Sequence, residues 1–257
     1  MKIRAQIAPE AMVRAICQKL TRAWGPQHWW PAETPFEVIV GAILGQNTSW
    51  TNVELALASL RSANALTIDA IRALPIARLE PLVRSSGYYR QKAQRLKSFI
   101  TFVDEYYNGS LERMFAIPTE ELRHQLLALK GIGHETADDI LLYAGNHEIF
   151  VVDAYARRIL ERHEAIHASA KYDDVRVLVE RALRNKTPGR SNSASAALPP
   201  NLLIHQPSVM SAAKRTSTAQ VYNEMHGLFV QTGKHYCWKQ TPNCAQCPLK
   251  SLLPDSK

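Results

Sequence analysis

The 257-residue chain has no apolar run of the roughly 20 residues that a membrane-spanning helix needs. Its first residues, Met1-Lys2-Ile3-Arg4-Ala5-Gln6, have no apolar core behind them, which argues against a secretion signal. A cytoplasmic location is therefore expected, on the nucleoid if the source is a bacterium. Cysteine is scarce: there are four, and three of them crowd into Cys237, Cys244 and Cys247. That is too few and too clustered for a disulfide framework, and it suits metal or cluster ligation in a reducing compartment. Acid is short relative to base, with 23 Asp and Glu against 31 Lys and Arg, a formal charge of +8 and a pI near 9.4. Such a balance favours an anionic partner, most commonly nucleic acid, although a merely soluble basic protein shares it. No internal repeat is present. At 46% hydrophobic residues the composition is that of a folded chain, long enough for one large domain or two lobes.

One stretch organises the rest: Leu129-Lys130-Gly131-Ile132-Gly133-His134-Glu135-Thr136-Ala137, then Val151-Val152-Asp153. The first part reads as a helix end, a Gly-x-Gly turn and a new helix start. Two glycines two apart give access to positive φ and leave no Cβ in the way. Amides at a helix start then face outward, ready for a phosphate. The second part carries one acid after the apolar run Ile149-Phe150-Val151-Val152, 20 residues beyond Gly133. Taken singly, Gly-x-Gly is a weak signal and such an acid is usually a helix cap. Together, at this spacing, they resemble the helix-hairpin-helix (HhH-GPD) DNA glycosylase superfamily, which includes endonuclease III. The resemblance implies that Asp153 is catalytic and that Lys130, Gly131, Ile132, Gly133, His134 and Thr136 meet the DNA backbone.

Residues 8–23 have helical periodicity, with Ala11, Ala15, Ile16 and Leu20 on one face and Cys17 as a small buried residue. The loop Trp24-Gly25-Pro26-Gln27-His28-Trp29-Trp30-Pro31 carries three tryptophans in seven residues. They either plug the core or stack on a base, and at least one is expected in each role. Residues 36–60 read as two helices broken at Gly45-Gln46-Asn47-Thr48, a polar turn suited to a surface task. The superfamily places a Gln at the position of Gln46, where it fills the gap left by a departed base; an amide has the donors and acceptor for that work. Taken alone, Asn47 or Thr48 reads as a helix cap. Short helices continue through 67–107, and Gly87-Tyr88-Tyr89-Arg90-Gln91-Lys92-Ala93 resembles a segment of the same family. Thr119-Glu120-Glu121-Leu122 is expected to cap the first hairpin helix. Helices follow over 154–160, 173–184 and 220–233. Between the last two, residues 185–217 hold Lys186, Arg190, Lys214 and Arg215 and no acid, and read as a flexible basic insertion.

Bifunctional members of the superfamily carry a Lys two residues after the second hairpin glycine, and its amine attacks the sugar. This chain has Glu135 there. A carboxylate forms no imine, so the resemblance implies a monofunctional glycosylase that uses water. Lys130 stands where many members have Pro. Trp29-Trp30-Pro31, Gly41 to Thr48, Lys130 to Asp138 and Val151 to Tyr155 are most similar to the 3-methyladenine DNA glycosylase III branch, which stacks an alkylated base on aromatic side chains. Trp29, Trp30, Trp50 and Glu135 are the implied pocket residues, and Gln46 and Asn47 join the DNA contacts. An N-alkylated purine is cationic, stacks well on Trp and leaves readily.

Cys237, Cys244 and Cys247 match the first three ligands of the family's [4Fe–4S] loop, whose fourth falls at Leu253. Three readings stand: a relic held by packing, a cluster with a substitute ligand such as the remote Cys17, or zinc with His235 completing a Cys3His set. The expected architecture is all-α and two-lobed, with DNA in a cleft. Residues 34–150 form one lobe ending in the hairpin at about 120–145. Residues 1–33, 151–184 and 218–257 form the other, with the cysteine loop at 237–253. The expected partner is duplex DNA bearing a damaged base, bound by a monomer without membrane involvement. The alternatives are an endonuclease III-like glycosylase with lyase activity on oxidised pyrimidines, or a non-catalytic helix-hairpin-helix binder.

Overall fold

The computed structural model describes residues 7–184 and 206–254, and among these residues the chain forms helices and turns without a strand, as the all-α reading expects. The chain divides into two compact units, one of Met1–Pro31 with Glu148–Lys257 and one of Ala32–His147. The dividing points fall two or three residues before those expected, because the apolar run preceding Asp153 packs wholly with the first unit. There the Phe150 ring meets Tyr222 edge-on at 5.9 Å and Phe229 at 6.2 Å.

Helix α1 (Pro9–Trp24) opens the first unit with Pro at its start and Glu10 in its first turn, both favoured there. Its buried stripe is Met12, Val13, Ile16, Cys17, Leu20 and Trp24. That stripe is rotated from the one expected, leaving Ala11 and Ala15 half-buried. The larger Met12 and Val13 remove more apolar surface from water and so take the inner positions.

The unit of residues 32–147 holds α2 (Pro35–Gly45), α3 (Trp50–Ser62), α4 (Ile68–Ala73), α5 (Ile76–Leu82), α6 (Tyr89–Tyr107), α7 (Leu111–Phe115), α8 (Thr119–Ala128) and α9 (His134–Asp139). A wider turn, Ile140–Ala144, prolongs α9. Its centre is α2, in which every residue from Phe36 to Leu44 is buried. Thr34 starts α2 by accepting the Glu37 N–H at 3.1 Å. Its other end is closed by Lys92, whose Nζ donates to Leu44 O at 2.8 Å. Thr119 differs from expectation: Pro118 is the cap of α8, and the Thr119 hydroxyl lies 2.9 Å from His147 Nδ1 instead.

The first unit is completed by α10 (Ala154–Arg162), α11 (Tyr172–Leu183) and α12 (Ser217–His235). Helix α12 is its axis, buried at most positions from Ala219 to Gly233 and packed against α1, α10 and α11. Thr216 caps it through the Ala219 N–H at 3.2 Å. Of the expected insertion, residues 185–205 lie outside the described residues. Some of residues 206–216 make contacts with the unit. Ser208 Oγ donates to Trp30 O at 3.3 Å, Met210 is buried, and an Arg215 Nη donates to Met210 O at 2.5 Å.

Candidate functional site

In the unit of residues 32–147, polar contacts tie three turns together. The first joins α8 to α9 and closes with the Ile132 N–H on Leu129 O at 3.0 Å. Gly131 holds φ at 90°, whereas Gly133 is ordinary extended backbone at φ −96°, so only one of the two glycines uses left-handed freedom. A Cβ on Gly131 would lie 2.2 Å from Arg95 Nε, while one on Gly133 would meet nothing within 4 Å. The two helices are clamped by a buried bidentate pair, Arg123 Nε and Nη2 donating to Asp138 Oδ1 and Oδ2 at 2.6 and 3.1 Å. Arg123 Nη2 also lies 3.1 Å from His134 Nδ1. A guanidinium only donates, so that ring nitrogen accepts and the imidazole N–H sits on Nε2.

The second turn, Gly45 to Thr48, departs from what the resemblance implies. Gln46 is committed to the hairpin: its Nε2 donates to Gly131 O at 2.9 Å and to Thr136 Oγ1 at 2.8 Å, and its Oε1 accepts from Arg95. The neighbouring Asn47, exposed and held at φ 53°, is the side chain that projects. The Ile132 and Thr136 side chains are buried and serve the hairpin's interior, while Lys130, Gly131, Gly133, His134 and Glu135 are exposed. The third turn, Arg84 to Tyr88, is fastened by Lys92 Nζ on Ser86 O at 2.5 Å and Ser85 Oγ on Asn52 O at 3.0 Å. Burial, then the nearby Arg95 charge, lowers the Lys92 amine to about 8. Tyr88 was not among the expected site residues, yet it is 67% exposed and held left-handed at φ 45°. A bulky residue in that region is a pointer to function. Its sequence signal was an aromatic pair directly after Gly87. Trp50 starts α3, is half-buried, and donates through Nε1 to Glu54 Oε1 at 3.0 Å.

In the other unit, Asp153 is the N-cap of α10, its Oδ1 accepting the Ala156 N–H at 2.6 Å. The carboxylate is mostly buried, and Oδ2 faces His226 Nε2 at 3.5 Å. Burial and the Asp153 charge together raise the Tyr155 phenol, whose ring fills the space beside Gly233. All three tryptophans of the loop are buried. Trp24 stacks on Tyr236 with centroids 5.9 Å apart, and Trp29 and Trp30 meet edge-on at 5.9 Å. Lys234 Nζ lies 5.8 Å from the Trp29 ring centroid. Trp29 and Gln27 lean on α12 where Gly227 has no side chain: a Cβ there would be 3.1 Å from each of their own Cβ atoms. One turn earlier on α12, Asn223 is 1% exposed, and neither of its amide atoms has a hydrogen-bond partner among the described residues.

Cys237, Cys244 and Cys247 line one cavity with Ile159, Arg162, His163, Tyr236 and Leu253. Three thiols line it, and Leu253, which stands in the sequence where the fourth ligand of a [4Fe–4S] loop would fall, lines it as well. The residues therefore fit such a cluster in part only. His235 does not line the cavity, and among the described residues no three His, Cys, Asp or Glu are placed to share one metal ion. Cys17 is absent from the lining; burial within α1 pushes its thiol up to about 12. Arginines hydrogen-bond the loop. Arg158 Nε donates to Cys237 O at 2.6 Å, and Arg162 donates to Cys237 Sγ and to Lys239 O, each at 3.0 Å. Burial raises the Cys247 thiol to about 11.

An all-helical chain with a clamped hairpin of exposed backbone and a separate buried carboxylate at a helix start defines the helix-hairpin-helix DNA repair class. The sequence profile of the HhH-GPD superfamily of base excision DNA repair proteins matches residues 40–185, and the chain belongs to that superfamily. It is 38% identical over 243 residues to MJ1434 of Methanocaldococcus jannaschii, provisionally named a DNA repair glycosylase, covering 94% of this chain and 95% of that one. Endonuclease III of Thermotoga maritima is 24% identical over 93% of this chain and 91% of its own length. Among solved structures, the 3-methyladenine DNA glycosylase MagIII of H. pylori bound to 1,N6-ethenoadenine aligns with a TM-score of 0.66 and 29% identity, over 89% of this chain and 98% of that one. A non-covalent endonuclease III-DNA complex aligns with a TM-score of 0.70 at 19% identity, over 96% of this chain and 95% of that one, a likeness of fold.

Proposed function

We propose that the chain is a monofunctional DNA glycosylase that hydrolyses the N-glycosidic bond of a flipped, alkylated purine such as 3-methyladenine. The observation that carries this reading is the fixed carboxylate of Asp153, in a chain whose exposed Glu135 stands at the sequence position where lyases need an amine. As the base leaves, positive charge builds on the sugar; a carboxylate already held in place stabilises it and orients the attacking water. Oδ1 is anchored on Ala156, which leaves Oδ2 to face the developing charge. Lys92 does not supply the missing amine, since its Nζ is buried and donates to two carbonyls. The indoles of Trp29 and Trp30 are the aromatic surface proposed for the base on the Asp153 unit, and Trp50 offers a further one on the hairpin unit. Lys130, the Gly131 to Gly133 backbone and His134 Nε2 are the proposed phosphate contacts, with Asn47 and Tyr88 projecting toward the duplex. Likeness to MagIII, whose crystal ligand is an alkylated adenine derivative, supports the substrate class. The cysteine loop is read as held by Arg158, Arg162 and packing, and no step runs through it.

Base release from duplex DNA carrying alkylated purines or oxidised pyrimidines, with and without later alkali, tests the reading. Release of alkylated purine, strand breaks only after alkali, no borohydride trapping and loss of release in Asp153→Asn with DNA binding kept are expected. Breaks without alkali on oxidised pyrimidine would favour the endonuclease III-like reading, which the T. maritima relative also supports. DNA binding without release of any base would leave a binding module.

A further inference from the structure

Capping fixes one oxygen of Asp153 and leaves the carboxylate free to swing about that bond. The second oxygen meets a second holder. His226, on α12, places Nε2 3.5 Å from Asp153 Oδ2, and the two side chains are only 5% and 11% exposed. The same imidazole meets the Phe150 ring edge-on, at 6.3 Å and 90°, three residues before the acid. One residue of α12 thus touches the 150–153 segment twice, at a ring and at the carboxylate. Helix α12 is a rigid place to anchor from, being buried along most of its length.

We propose that His226 is a positioning residue for Asp153, an N–H donor that fixes the direction of Oδ2 so that the carboxylate presents one orientation when sugar charge develops. This rests on the glycosylase reading. At 3.5 Å the contact is long for a hydrogen bond, and such contacts shorten in the reacting complex. The role asks for a donor at the right reach, not for a proton carrier. A glutamine amide, with its Nε2 at similar reach, therefore replaces it in large part, and a leucine of similar bulk does not.

The test is single-turnover base release on the lesion the wild type cleaves, measured for His226→Gln and His226→Leu beside binding to a duplex with an uncleavable abasic analogue. His226→Leu is expected to slow release by about 10- to 100-fold, the scale of an ångström-sized misplacement, with duplex affinity unchanged. His226→Gln recovers most of the rate. A second measurement needs no turnover: melting temperatures of Asp153→Ala, His226→Leu and the double variant, whose shifts are expected not to add because the residues share one contact. Equal rates for the two His226 variants, a loss of affinity that matches the loss of rate, or additive melting shifts overturn the proposal while leaving the glycosylase reading intact. A wild type that releases no base from any lesion overturns the glycosylase reading itself, and with it any catalytic role for His226.

Discussion

Alanine at the two hairpin glycines should separate what the fold requires from what DNA requires. At Gly131 the backbone stands at φ 90°, and the added Cβ would lie 2.2 Å from Arg95 Nε. A left-handed L-residue costs about 1–2 kcal/mol. Arg95 must also move away, and its bond to Gln46, a charged donor to a neutral acceptor, is worth roughly 1.5–3 kcal/mol. Gly131→Ala should therefore destabilise by about 3 kcal/mol, which for a chain of this length lowers Tm by roughly 6–12 °C. At Gly133 the new methyl meets nothing within 4 Å. Ala is a poorer N-cap than Gly but reduces the freedom of the unfolded chain, and these effects, each about 0.5–1 kcal/mol, offset. Gly133→Ala should melt with the wild type. If a phosphate sits on the amides that open α9, that methyl stands in its way, and losing one charged hydrogen bond lowers affinity about tenfold or more. Thermal melts and fluorescence anisotropy with a labelled duplex, over a range of salt, give both readings. A Gly133→Ala protein that binds like the wild type would refute the phosphate site, and a Gly131→Ala protein with unchanged Tm would refute the tie through Arg95 and Gln46.

Asp138→Asn leaves the buried Arg123 charge without its carboxylate and should lower Tm by roughly 6–20 °C, the scale of about 3–5 kcal/mol for a broken buried pair, as read by circular dichroism. Lys92 titrates near 8 in the fold and near 10.5 unfolded, so the unfolded chain holds more protons between those values. Stability should rise over that window as pH increases, and the rise should be smaller in Lys92→Met when melts at pH 8 and pH 10 are compared. Asn223→Leu removes a buried amide without hydrogen-bond partners among the described residues and should raise Tm by a few degrees, about 1–3 kcal/mol; a drop would show that the amide is bound to something. Treatment with iron and zinc chelators should leave Tm unchanged, whereas Arg162→Ala, which frees Cys237 and Lys239, should lower it by roughly 2–6 °C.

Local chemistry made most element boundaries legible. Thr67 marks a helix start by its side-chain oxygen, and Gly45 to Thr48 breaks an apolar helix visibly. What was not legible depends on distant partners. Gln46 carries a family role as a gap filler, yet its amide is spent on Gly131 and Thr136, 85 and 90 residues away, and on Arg95, 49 away. Periodicity placed α1 correctly but chose the wrong stripe, since pattern alone does not weigh Met12 against Ala11. Residues 206–216 read as loose by composition, but Ser208 and Met210 find Trp30 and the core. His226 gave no signal because α12 is buried on all sides, which erases the contrast that periodicity needs.

Asp153 shows why the structural and the functional reading of one residue are not rivals. It is the helix cap that a lone acid after an apolar run suggests, and it is also the carboxylate proposed for the chemistry. The cap contributes to that use, because bonding Oδ1 to Ala156 removes part of the rotational freedom that a catalytic carboxylate must otherwise lose at the transition state. The choice of variant follows. Asp153→Ala deletes the cap, worth about 1 kcal/mol, together with the charge, so a loss of activity would be ambiguous. Asparagine caps as well as aspartate does, accepting the same N–H through its amide oxygen. In Asp153→Asn the helix start stands and only the charge goes, so an unchanged Tm with base release abolished isolates electrostatic stabilisation as the role of this residue. Retained release in that variant would mean that its place in the fold, and not its charge, is what Asp153 supplies.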